Sequence, residues 1–437
     1  MRLVLAAVAV AITLSPSAAP ASKQESSRPQ QLFVAPRGND AGQCTSSQPC
    51  ATFNRAYRSA RPGQTIEIAG GRYPTQVVQI DRSKLGSTHA CALARRARCV
   101  VFRPANGSKV TIDGDLVVYG SNAIFQGFRI TKMLRSEAVR GRATSHNVIF
   151  SNLDGAGFTI GPNNHITIKG GGWGPNYLCG SNDTDENKVG PDGTILRQWP
   201  HDILLDGLHI HDQNSYHLDD CHTGGLFLIS GYRITLRDSV FSRNAVYDIQ
   251  VQDFTDPGCC GMKFGQMHDV VIENNWFGPP VRGLDEPNGA NRNDNQPELQ
   301  LDGDYGGWRN WLIRFNSFFN GVDVGFASGP DFTHVRVIGN IGGVPHCFSG
   351  AKGLTWAYNA WVGGRCGKTD VSIRGYPYRG VRIGSEDYHL TGGRAVNLVR
   401  GRGRDYALNR DIDGQRRPQG RARDAGADEV GSRSRRR

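Results

Sequence analysis

Several signals of common protein classes are missing from this 437-residue chain. After the first 21 residues no apolar run approaches the ~20 residues that a membrane-spanning helix needs, so no membrane span is predicted. No two cysteines have CxxC spacing, which favours disulfides over zinc ligation. No basic stripe interleaved with aromatic residues is present, so nucleic acid is not an expected partner.

The formal net charge of +11 is concentrated at one end of the chain. Between Arg400 and Arg437 there are twelve arginines and six acidic residues, and this net +6 is more than half of the excess. The remainder of the chain is nearly balanced. A basic end of this kind predicts a solvated tail, and contact with anionic surface polymers is the alternative.

The first residues are typical of a secretory signal. Arg2 precedes an apolar run over residues 3–14, and the small-residue stretch Ala-Pro-Ala at 19–21 predicts cleavage before Ser22. We therefore expect residues 1–21 to be a signal peptide and residues 22–31 a linker. The mature protein is predicted to be secreted.

Ten cysteines fit an oxidising compartment, where an even number is most simply disulfide-bonded. Their proximity in sequence predicts three local pairs: Cys44–Cys50, Cys91–Cys99 and Cys347–Cys366. The remaining four cysteines are expected to clamp loops around the centre of the chain, with zinc as the competing interpretation: Cys179, Cys221, Cys259 and Cys260.

A repeated unit around one asparagine is the strongest pattern present. Four segments align: 270–277 (VVIENNWF), 311–318 (WLIRFNSF), 335–341 (VRVIGNI) and 354–361 (LTWAYNAW). The alignment places Asn275, Asn316, Asn340 and Asn359 in one column, at spacings of 41, 24 and 19 residues. Constant strands joined by loops of variable length predict a stacked β-solenoid.

Asparagine suits the bend of such a unit for two reasons. It tolerates the left-handed backbone of a tight corner, and its amide can bond to the same amide in the next coil, roughly 4.8 Å away. Ordinary hairpin turns are the alternative. Weaker copies with Gly127, Asn152, Gly207 and Asp238 before the ladder position extend the pattern to nine or ten coils.

With these motifs, the chain resembles the right-handed parallel β-helix proteins of the pectate-lyase-like superfamily. Segments 35–40 (APRGND), 61–68 (RPGQTIEI) and 70–74 (GGRYP) are similar to the N-terminal segment of many members. Phe53, Ala56, Tyr57 and Ala60 have helical spacing, which predicts a capping helix over the first coil.

The resemblance also covers the C-terminal part, where two segments resemble a closing motif of secreted β-helix proteins: 411–418 (DIDGQRRP) and 424–429 (DAGADE). The predicted organisation is therefore an N-terminal cap over residues 32–75, a parallel β-helix over 76–399, and a closing segment with a basic tail over 400–437. A fold of this kind specifies architecture better than activity.

The strands between successive asparagine units predict an acidic strip. Segments 226–229 (LFLI), 249–252 (IQVQ), 299–302 (LQLD) and 324–327 (VGFA) occupy equivalent places. If the first residue of each points inward, the residue before it points outward, which puts Asp248, Glu298 and Asp323 in one outward column. The next outward columns add three amides and one acid: Gln250, Gln300, Gln252 and Asp302.

Three stacked carboxylates repel one another, so something must offset that repulsion. Ca²⁺ held by Asp248, Glu298, Asp302 and Asp323 would do so. The alternatives are a loop Arg or Lys, a raised pKa on one acid, screening by solvent, or a register that is wrong by one residue.

The loop before this strip is rich in groups that can transfer protons. His209 and His211 should both point outward around Ile210, and Asp219, Asp220 and His222 follow in the loop. Tyr216 and Tyr247 are candidates for stacking on sugar rings. Surface turn residues around a disulfide at Cys221 are the alternative interpretation.

The resemblance implies an enzyme that acts on polysaccharide, because superfamily members are commonly lyases, hydrolases or epimerases. A lyase needs a cation or Arg to neutralise a uronate carboxylate, and a base that removes the C5 proton. His222, Arg243 and Lys263 are the candidate bases. Hydrolysis through Asp219, Asp220 and Asp248, epimerisation, and a non-catalytic adhesive protein are the alternatives. The protein is expected to be a monomer.

Overall fold

The structure is a computed structural model, and it describes most of the chain from residue 31 onward. The described ranges are 31–84, 91, 98–137, 145–175, 182–184, 200–213, 224–228, 231–244, 247–252, 267–279, 299–302, 308–319, 322–324, 332–343, 347, 352–382 and 384–431. Residues 31–437 form one compact unit. The predicted signal peptide lies outside the described residues, and the predicted domain boundaries stay predictions.

Short strands dominate, and within the described ranges there is one α-helix, α1 (Phe53–Ser59), with two 3₁₀ turns at Arg82–Lys84 and Arg404–Tyr406. The strands, in chain order, are β1 Leu32–Val34, β2 Thr65–Ile68, β3 Gly71–Val78, β4 Val100–Pro104, β5 Val110–Val118, β6 Ala123–Gln126, β7 Arg129–Ile130, β8 Met133–Ser136, β9 His146–Ser151, β10 Gly157–Ile160, β11 Asn164–Lys169, β12 Gly172–Trp173, β13 Asn182–Thr184, β14 His201–Asp206, β15 His209–His211, β16 Gly224–Leu228, β17 Tyr232–Arg237, β18 Val240–Ser242, β19 Tyr247–Gln252, β20 His268–Glu273, β21 Trp276–Phe277, β22 Leu299–Asp302, β23 Leu312–Arg314, β24 Ser317–Phe318, β25 Val322–Val324, β26 Val335–Ile338, β27 Ile341–Gly342, β28 Leu354–Ala357, β29 Ala360–Val362, β30 Val371–Ile373, β31 Tyr378–Gly380 and β32 Asp387–Leu390.

These strands form three long sheets, which the chain visits in turn. Sheet A has twelve strands, in the order β1-β2-β4-β6-β9-β11-β14-β17-β20-β23-β26-β28. Sheet B has eight strands, in the order β12-β15-β18-β21-β24-β27-β29-β30. Sheet C has ten strands: nine in the order β3-β5-β8-β10-β13-β16-β19-β22-β25, and β7, which pairs with β5. Neighbours within all three sheets pair in parallel. The predicted right-handed parallel β-helix is confirmed. Sheet A exceeds nine or ten strands because β1, β2 and β4 of the N-terminal part join it.

The corner between sheets A and B differs from the prediction in one respect. The left-handed residue of each corner is not the ladder asparagine but the residue before it, for example Asn274 (φ 61°), Phe315 (φ 53°) and Tyr358 (φ 58°). The same position is filled by the predicted Gly127, Asn152, Gly207 and Asp238, all with positive φ. The bend therefore precedes the asparagine, whose side chain is left to turn inward.

The predicted asparagine ladder is confirmed, and all four of its asparagines are fully buried. The backbone N–H and the side-chain Nδ2 of Asn316 both donate to Oδ1 of Asn340, at 2.9 and 3.0 Å. The same pair of hydrogen bonds joins Asn275 to Asn316 and Asn340 to Asn359.

Different residues end the ladder on its two sides. Before Asn275 stands Ser239, whose backbone N–H donates to Asn275 Oδ1 at 2.9 Å. After Asn359 stands Asp370, whose Oδ1 accepts from the backbone N–H and from Nδ2 of Asn359 at 2.9 and 3.1 Å. The other oxygen, Asp370 Oδ2, accepts from Gly367 N at 2.9 Å and from two further N–H groups. Each buried polar group of the column thereby has a partner.

The interior consists of stacked apolar side chains, one from each coil. Phe102 stacks on Phe125 with ring centroids 4.6 Å apart, and Phe277 stacks on Phe318 at 4.8 Å. The predicted capping helix is confirmed as α1. Its Phe53, Ala56 and Tyr57 and the following Ala60 are buried, and the Thr52 side chain accepts from Arg55 N at its first turn.

The three predicted local disulfides are confirmed: Cys44–Cys50, Cys91–Cys99 and Cys347–Cys366. The four central cysteines, Cys179, Cys221, Cys259 and Cys260, lie outside the described residues. Over the described ranges, no helix combines the length and apolarity that crossing a membrane would require.

The C-terminal segment packs against the last coils and carries the predicted closing motif. Its antiparallel pair β31–β32 differs from the parallel sheets. Arg417, 2% exposed, lies over the Phe315 ring and 3.4 Å from Glu429 Oε2. Burial raises the pKa of Asp411 to about 6 and that of Glu429 to about 7.

Candidate functional site

The predicted polar strip lies on sheet C, and three of its four strands have the predicted register. Gln250 stands opposite Gln300, and Gln252 opposite Asp302. The fourth strand is displaced: Asp323 stands opposite Gln300, two residues from the predicted column. A slip of two residues keeps every side chain on the same face, so the apolar alternation used for the prediction cannot detect it.

The predicted outward position of Asp248 is wrong. This residue is 3% exposed, and its Oδ1 accepts from Nδ2 of the buried Asn244 at 2.8 Å. A Cβ on Gly225, in the neighbouring strand β16, would likewise lie 2.9 Å from Asn244 Nδ2 and from Phe241, so this side of the two strands faces the interior. Burial also raises the pKa of Asp248 well above 3.8. Because its carboxyl is buried against Asn244, Asp248 does not fit the predicted set of Ca²⁺ ligands, and the roles of Glu298, Asp302 and Asp323 stay predictions.

Part of the predicted site lies outside the described residues: Tyr216, Asp219, Asp220, His222, Lys263 and Glu298. For Gln252, Gln300, Asp302 and Asp323 the structure describes the backbone, which lies on sheet C. Gln250 and Tyr247, on β19 of the same sheet, are half-buried. The roles of these residues stay predictions.

The outward direction of His209 and His211 around the buried Ile210 is confirmed. The two rings lie 4.5 Å apart between centroids. His209 Nε2 lies 3.0 Å from Ser242 Oγ on the next strand of sheet B. Burial and the neighbouring charge of His211 lower the pKa of His209, which favours its neutral form.

An Asp–Arg pair at the following corner fixes His211. His211 Nδ1 lies 2.7 Å from Asp212 Oδ2, and Arg243 binds both oxygens of Asp212, at 2.7 and 2.6 Å. Asp212 and Arg243 occupy the same left-handed corner position in successive coils, with φ of 51° and 52°. Coil stacking therefore brings Arg243 to the adjacent residues His211 and Asp212, which precede it by about one coil.

The charges of this pair are mutually stabilised. Burial alone would raise the pKa of Asp212, but the hydrogen bonds from Arg243 and His211 lower it overall. The hydrogen bond to Asp212 raises the pKa of Arg243. Arg243 was a candidate base, but a guanidinium held in this fork is a poor proton acceptor. Its predicted role as a base stays a prediction, and the structure shows its guanidinium bound to both oxygens of Asp212.

His211 lines a cleft of about 300 Å³ between sheet B and the coils before it. The other lining residues are Arg129, Ile130, Thr131, Asp154, Gly155, Ala156, Gly172, Gly174 and Pro175. Arg129 is exposed and forms no ion pair with the part of the chain that the structure describes. Asp154 Oδ1 accepts from Gly172 N at 2.9 Å.

Gly172 lies between Asp154 and His211 in this cleft. A Cβ at Gly172 would lie 3.6 Å from His211 Nε2 and 3.4 Å from Asp154 Oδ1. Gly174 has φ of +146°, and a Cβ there would lie 1.7 Å from the His211 carbonyl oxygen. The absence of a Cβ at Gly174 therefore allows the chain to pass directly under His211, whereas a Cβ at Gly172 would make ordinary van der Waals contacts.

The sequence interpretation missed Arg129 and Asp154 as site residues. Both lie in the weak copies of the repeat, and the isolated bridge between them places them opposite each other in successive coils. His209, Gly172, Asp154 and Arg129 occupy the same position in successive coils, so extending the alignment from His209 toward the N-terminus would have identified Asp154 and Arg129. The signal was present, but those coils lack the ladder asparagine that set the register elsewhere.

Comparisons with known proteins bear on this site only through the fold. No protein-family model matches the chain, and no curated protein matches it in sequence. Among solved structures, the chain is similar to pectate lyase Pel9A, with 14% identity, coverage of 92% of this chain and 96% of that chain, and a TM-score of 0.45.

Two alginate-type lyases are also similar to the chain. The alginate lyase from Paenibacillus sp. str. FPU-7 has 13% identity, coverage of 72% and 93%, and a TM-score of 0.36. A mannuronic acid specific family 6 lyase from human gut microbiota has 10% identity, coverage of 79% and 91%, and a TM-score of 0.38. The predicted resemblance is confirmed at the level of the fold, which the strand pairing of this chain establishes by itself.

Proposed function

We propose that this protein is a secreted polysaccharide lyase that cleaves a uronate-containing glycan by β-elimination. The observation that carries the proposal is the cleft in which an oriented histidine, His211, and an exposed arginine, Arg129, line the same space; among the described residues Arg129 has no ion-pair partner. A β-elimination requires these two kinds of group: a positive charge for the uronate carboxylate and a base for the adjacent proton.

In this mechanism Arg129 binds the uronate carboxylate through its planar guanidinium. Charge withdrawn from the carboxylate makes the C5 proton more acidic, and His211 Nε2 accepts that proton. The C4–O bond then breaks, a C4=C5 double bond forms, and the leaving oxygen takes a proton from water. The hydroxide formed from that water removes the proton from His211 Nε2, which returns the histidine to its neutral form. The products are a chain with a new reducing end and a chain with an unsaturated uronate end.

Asp212 and Arg243 act on His211 rather than on the substrate. The contact at Nδ1 leaves Nε2 as the ring nitrogen available in the cleft, and the Arg243 fork keeps Asp212 in place. A histidine oriented in this way loses less freedom in the transition state.

Sheet C supplies the proposed contacts for the rest of the glycan. Its stacked strands carry two neighbouring columns of polar residues, with Gln250, Gln300 and Asp323 in one and Gln252 and Asp302 in the other. Their amides suit sugar hydroxyls, and their carboxylates suit Ca²⁺, which would bind additional uronate groups. We infer secretion from the N-terminal sequence and the disulfides, and we propose that the protein acts as a monomer.

The test is cleavage of pectate and alginate by purified protein, followed by the ultraviolet absorbance of unsaturated ends, with and without a chelator. Arg129→Gln and His211→Gln should each lower kcat/KM by about 10²-fold or more, with unchanged melting temperature. His165→Gln, which changes an outward histidine of sheet A, is the matched control and should retain activity.

Full activity in the His211→Gln variant would contradict the assigned base. Loss of wild-type activity in chelator would assign the neutralising charge to Ca²⁺ on sheet C instead of Arg129. Binding of uronate polymers without cleavage would identify a non-catalytic glycan-binding protein. New reducing ends without unsaturation would indicate hydrolysis, and inverted sugar configuration without chain cleavage would indicate epimerisation.

A further inference from the structure

A second cluster of chemically active side chains lies in the C-terminal segment and takes no part in the proposed cleavage. One ligand atom from each of His389, Asp413 and Asp428 lies within 4.8 Å of the others. The three residues come from β32 and from the two halves of the closing motif. Any ion bound by all three would therefore connect separate stretches of the C-terminal segment.

The imidazole of His389 is oriented for ligation. Asp387 Oδ1 contacts its Nδ1, and its Nε2 lies 2.7 Å from Asp413 Oδ2. A carboxylate that holds one ring nitrogen fixes the tautomer and leaves the other nitrogen for a metal. Asp428 is buried, and its Oδ2 accepts from Leu390 N at 2.7 Å. Its position is therefore set by the backbone of β32.

A fourth acid gives an independent indication of a ligand. Asp411 is 2% exposed, and its Oδ1 accepts from Gln415 N at 2.7 Å. Its Oδ2 is buried and has no hydrogen-bond partner in the described part of the chain. The charges of Arg417, Asp428 and Asp413 all act on this carboxyl. A buried oxygen without a partner is unfavourable unless a ligand meets it.

The balance of charge points the same way. Four buried acids stand in this segment, Asp411, Asp424, Asp428 and Glu429, and the buried cation among them is Arg417. Arg417 directs its Nη1 to Glu429 and its Nη2 to the Gly426 carbonyl oxygen, so it does not pair with Asp411 or Asp413 at close range. Added positive charge at the cluster would offset the repulsion among these carboxylates.

We propose that this cluster binds one divalent cation of the Zn²⁺ and Mn²⁺ class, through His389 Nε2 and the carboxylates of Asp413 and Asp428. An imidazole among carboxylates suits these ions better than Ca²⁺, which prefers oxygen ligands alone. The exposed Asp413 gives the ion access from solvent. Its role is structural: the ion ties β32 to both halves of the closing motif.

The experiment uses the full chain, stripped with chelator and then titrated with Zn²⁺, Mn²⁺ or Ca²⁺ by calorimetry, with melting curves in parallel. We expect one Zn²⁺ or Mn²⁺ per chain and weaker binding of Ca²⁺. At 100-fold excess over Kd, the melting temperature should rise by about 3 °C, from the linkage relation and the entropy of unfolding of ~400 residues.

Asp413→Asn removes an exposed ligand and should fold normally, lose at least tenfold in affinity and show no metal-dependent rise in melting temperature. His389→Gln should do the same. Glu386→Gln is the matched control, because it removes a nearby half-buried charge that contacts Gly384 N rather than the cluster. Equal weakening by Glu386→Gln, absence of stoichiometric binding, or tighter binding of Ca²⁺ than of Zn²⁺ would each overturn the proposal.

Discussion

Replacing Asn316 with alanine tests the asparagine ladder at its centre. This side chain accepts from both Asn275 N and Asn275 Nδ2, at 3.0 Å each, and donates to Ile272 O and Asn340 Oδ1. Alanine would remove all four bonds inside a fully buried column. The perturbation therefore affects coils on both sides while it deletes little volume.

The expected loss of stability follows from the groups that are left without partners. Asn340 Oδ1 keeps the bond from the backbone of residue 316, and Asn275 Nδ2 keeps Leu236 O. The backbone N–H of Asn275 loses its acceptor, and Ile272 O loses a donor. One buried donor without a partner costs about 1 to 3 kcal/mol, so the total should be about 2 to 4 kcal/mol.

Chemical denaturation followed by circular dichroism measures this loss, and the slope with denaturant shows whether unfolding stays cooperative. Asn164→Ala is the matched control. Asn164 lies on the outer face of sheet A, where its Oδ1 contacts the neighbouring His165. It should change the free energy of unfolding by no more than about 0.5 kcal/mol. An equal loss in the two variants would refute the assignment of the ladder as a principal source of stability.

Three further changes address other parts of the fold. Burial raises the pKa of Asp248, so the folded state binds more protons than the unfolded state and the free energy of unfolding should fall as pH rises above 3.8. Asp248→Asn should remove this dependence, which denaturation of both proteins at pH 4, 6 and 8 measures. A difference in stability between the two proteins that is the same at all three pH values would contradict the raised pKa. Arg417→Met leaves Glu429 buried without its cation and should cost about 3 to 5 kcal/mol, measured by denaturant unfolding. Gly171→Ala places a Cβ 1.8 Å from the Leu153 carbonyl oxygen at φ of +90° and should cost at least about 2 kcal/mol; an unchanged melting curve would disprove the close approach.

The fold was predictable because its information is local and repeated. Asn275, Asn316, Asn340 and Asn359 identified one position in each coil, and the apolar residues around them fixed which face was inside. The assignment of the left-handed conformation to the ladder asparagines was wrong, because it relied on residue propensity alone. Asparagine has the propensity for that conformation, but tertiary packing gave the position to residues such as Phe315 and Tyr358.

The site was less predictable because it depends on register and on the direction of single side chains. Asp323 moved by two residues along its strand, a change that preserves the alternation of faces. Asp248 fits the outward position of the sequence alternation, but in the structure it is buried and its Oδ1 accepts from Asn244 Nδ2. The cleft combines Arg129, Asp154 and His211 from different coils, which no single strand pattern reveals.

The hydrogen bonds of the ladder all run in one direction, and this direction determines where further coils can be inserted. Each asparagine donates toward the C-terminus and accepts from the N-terminal side, so a further asparagine coil fits at any internal point. A carboxylate has no N–H to pass on, and both oxygens of Asp370 are already occupied. Evolution could therefore lengthen or shorten this protein by whole coils between Ser239 and Asp370 without redesigning either end.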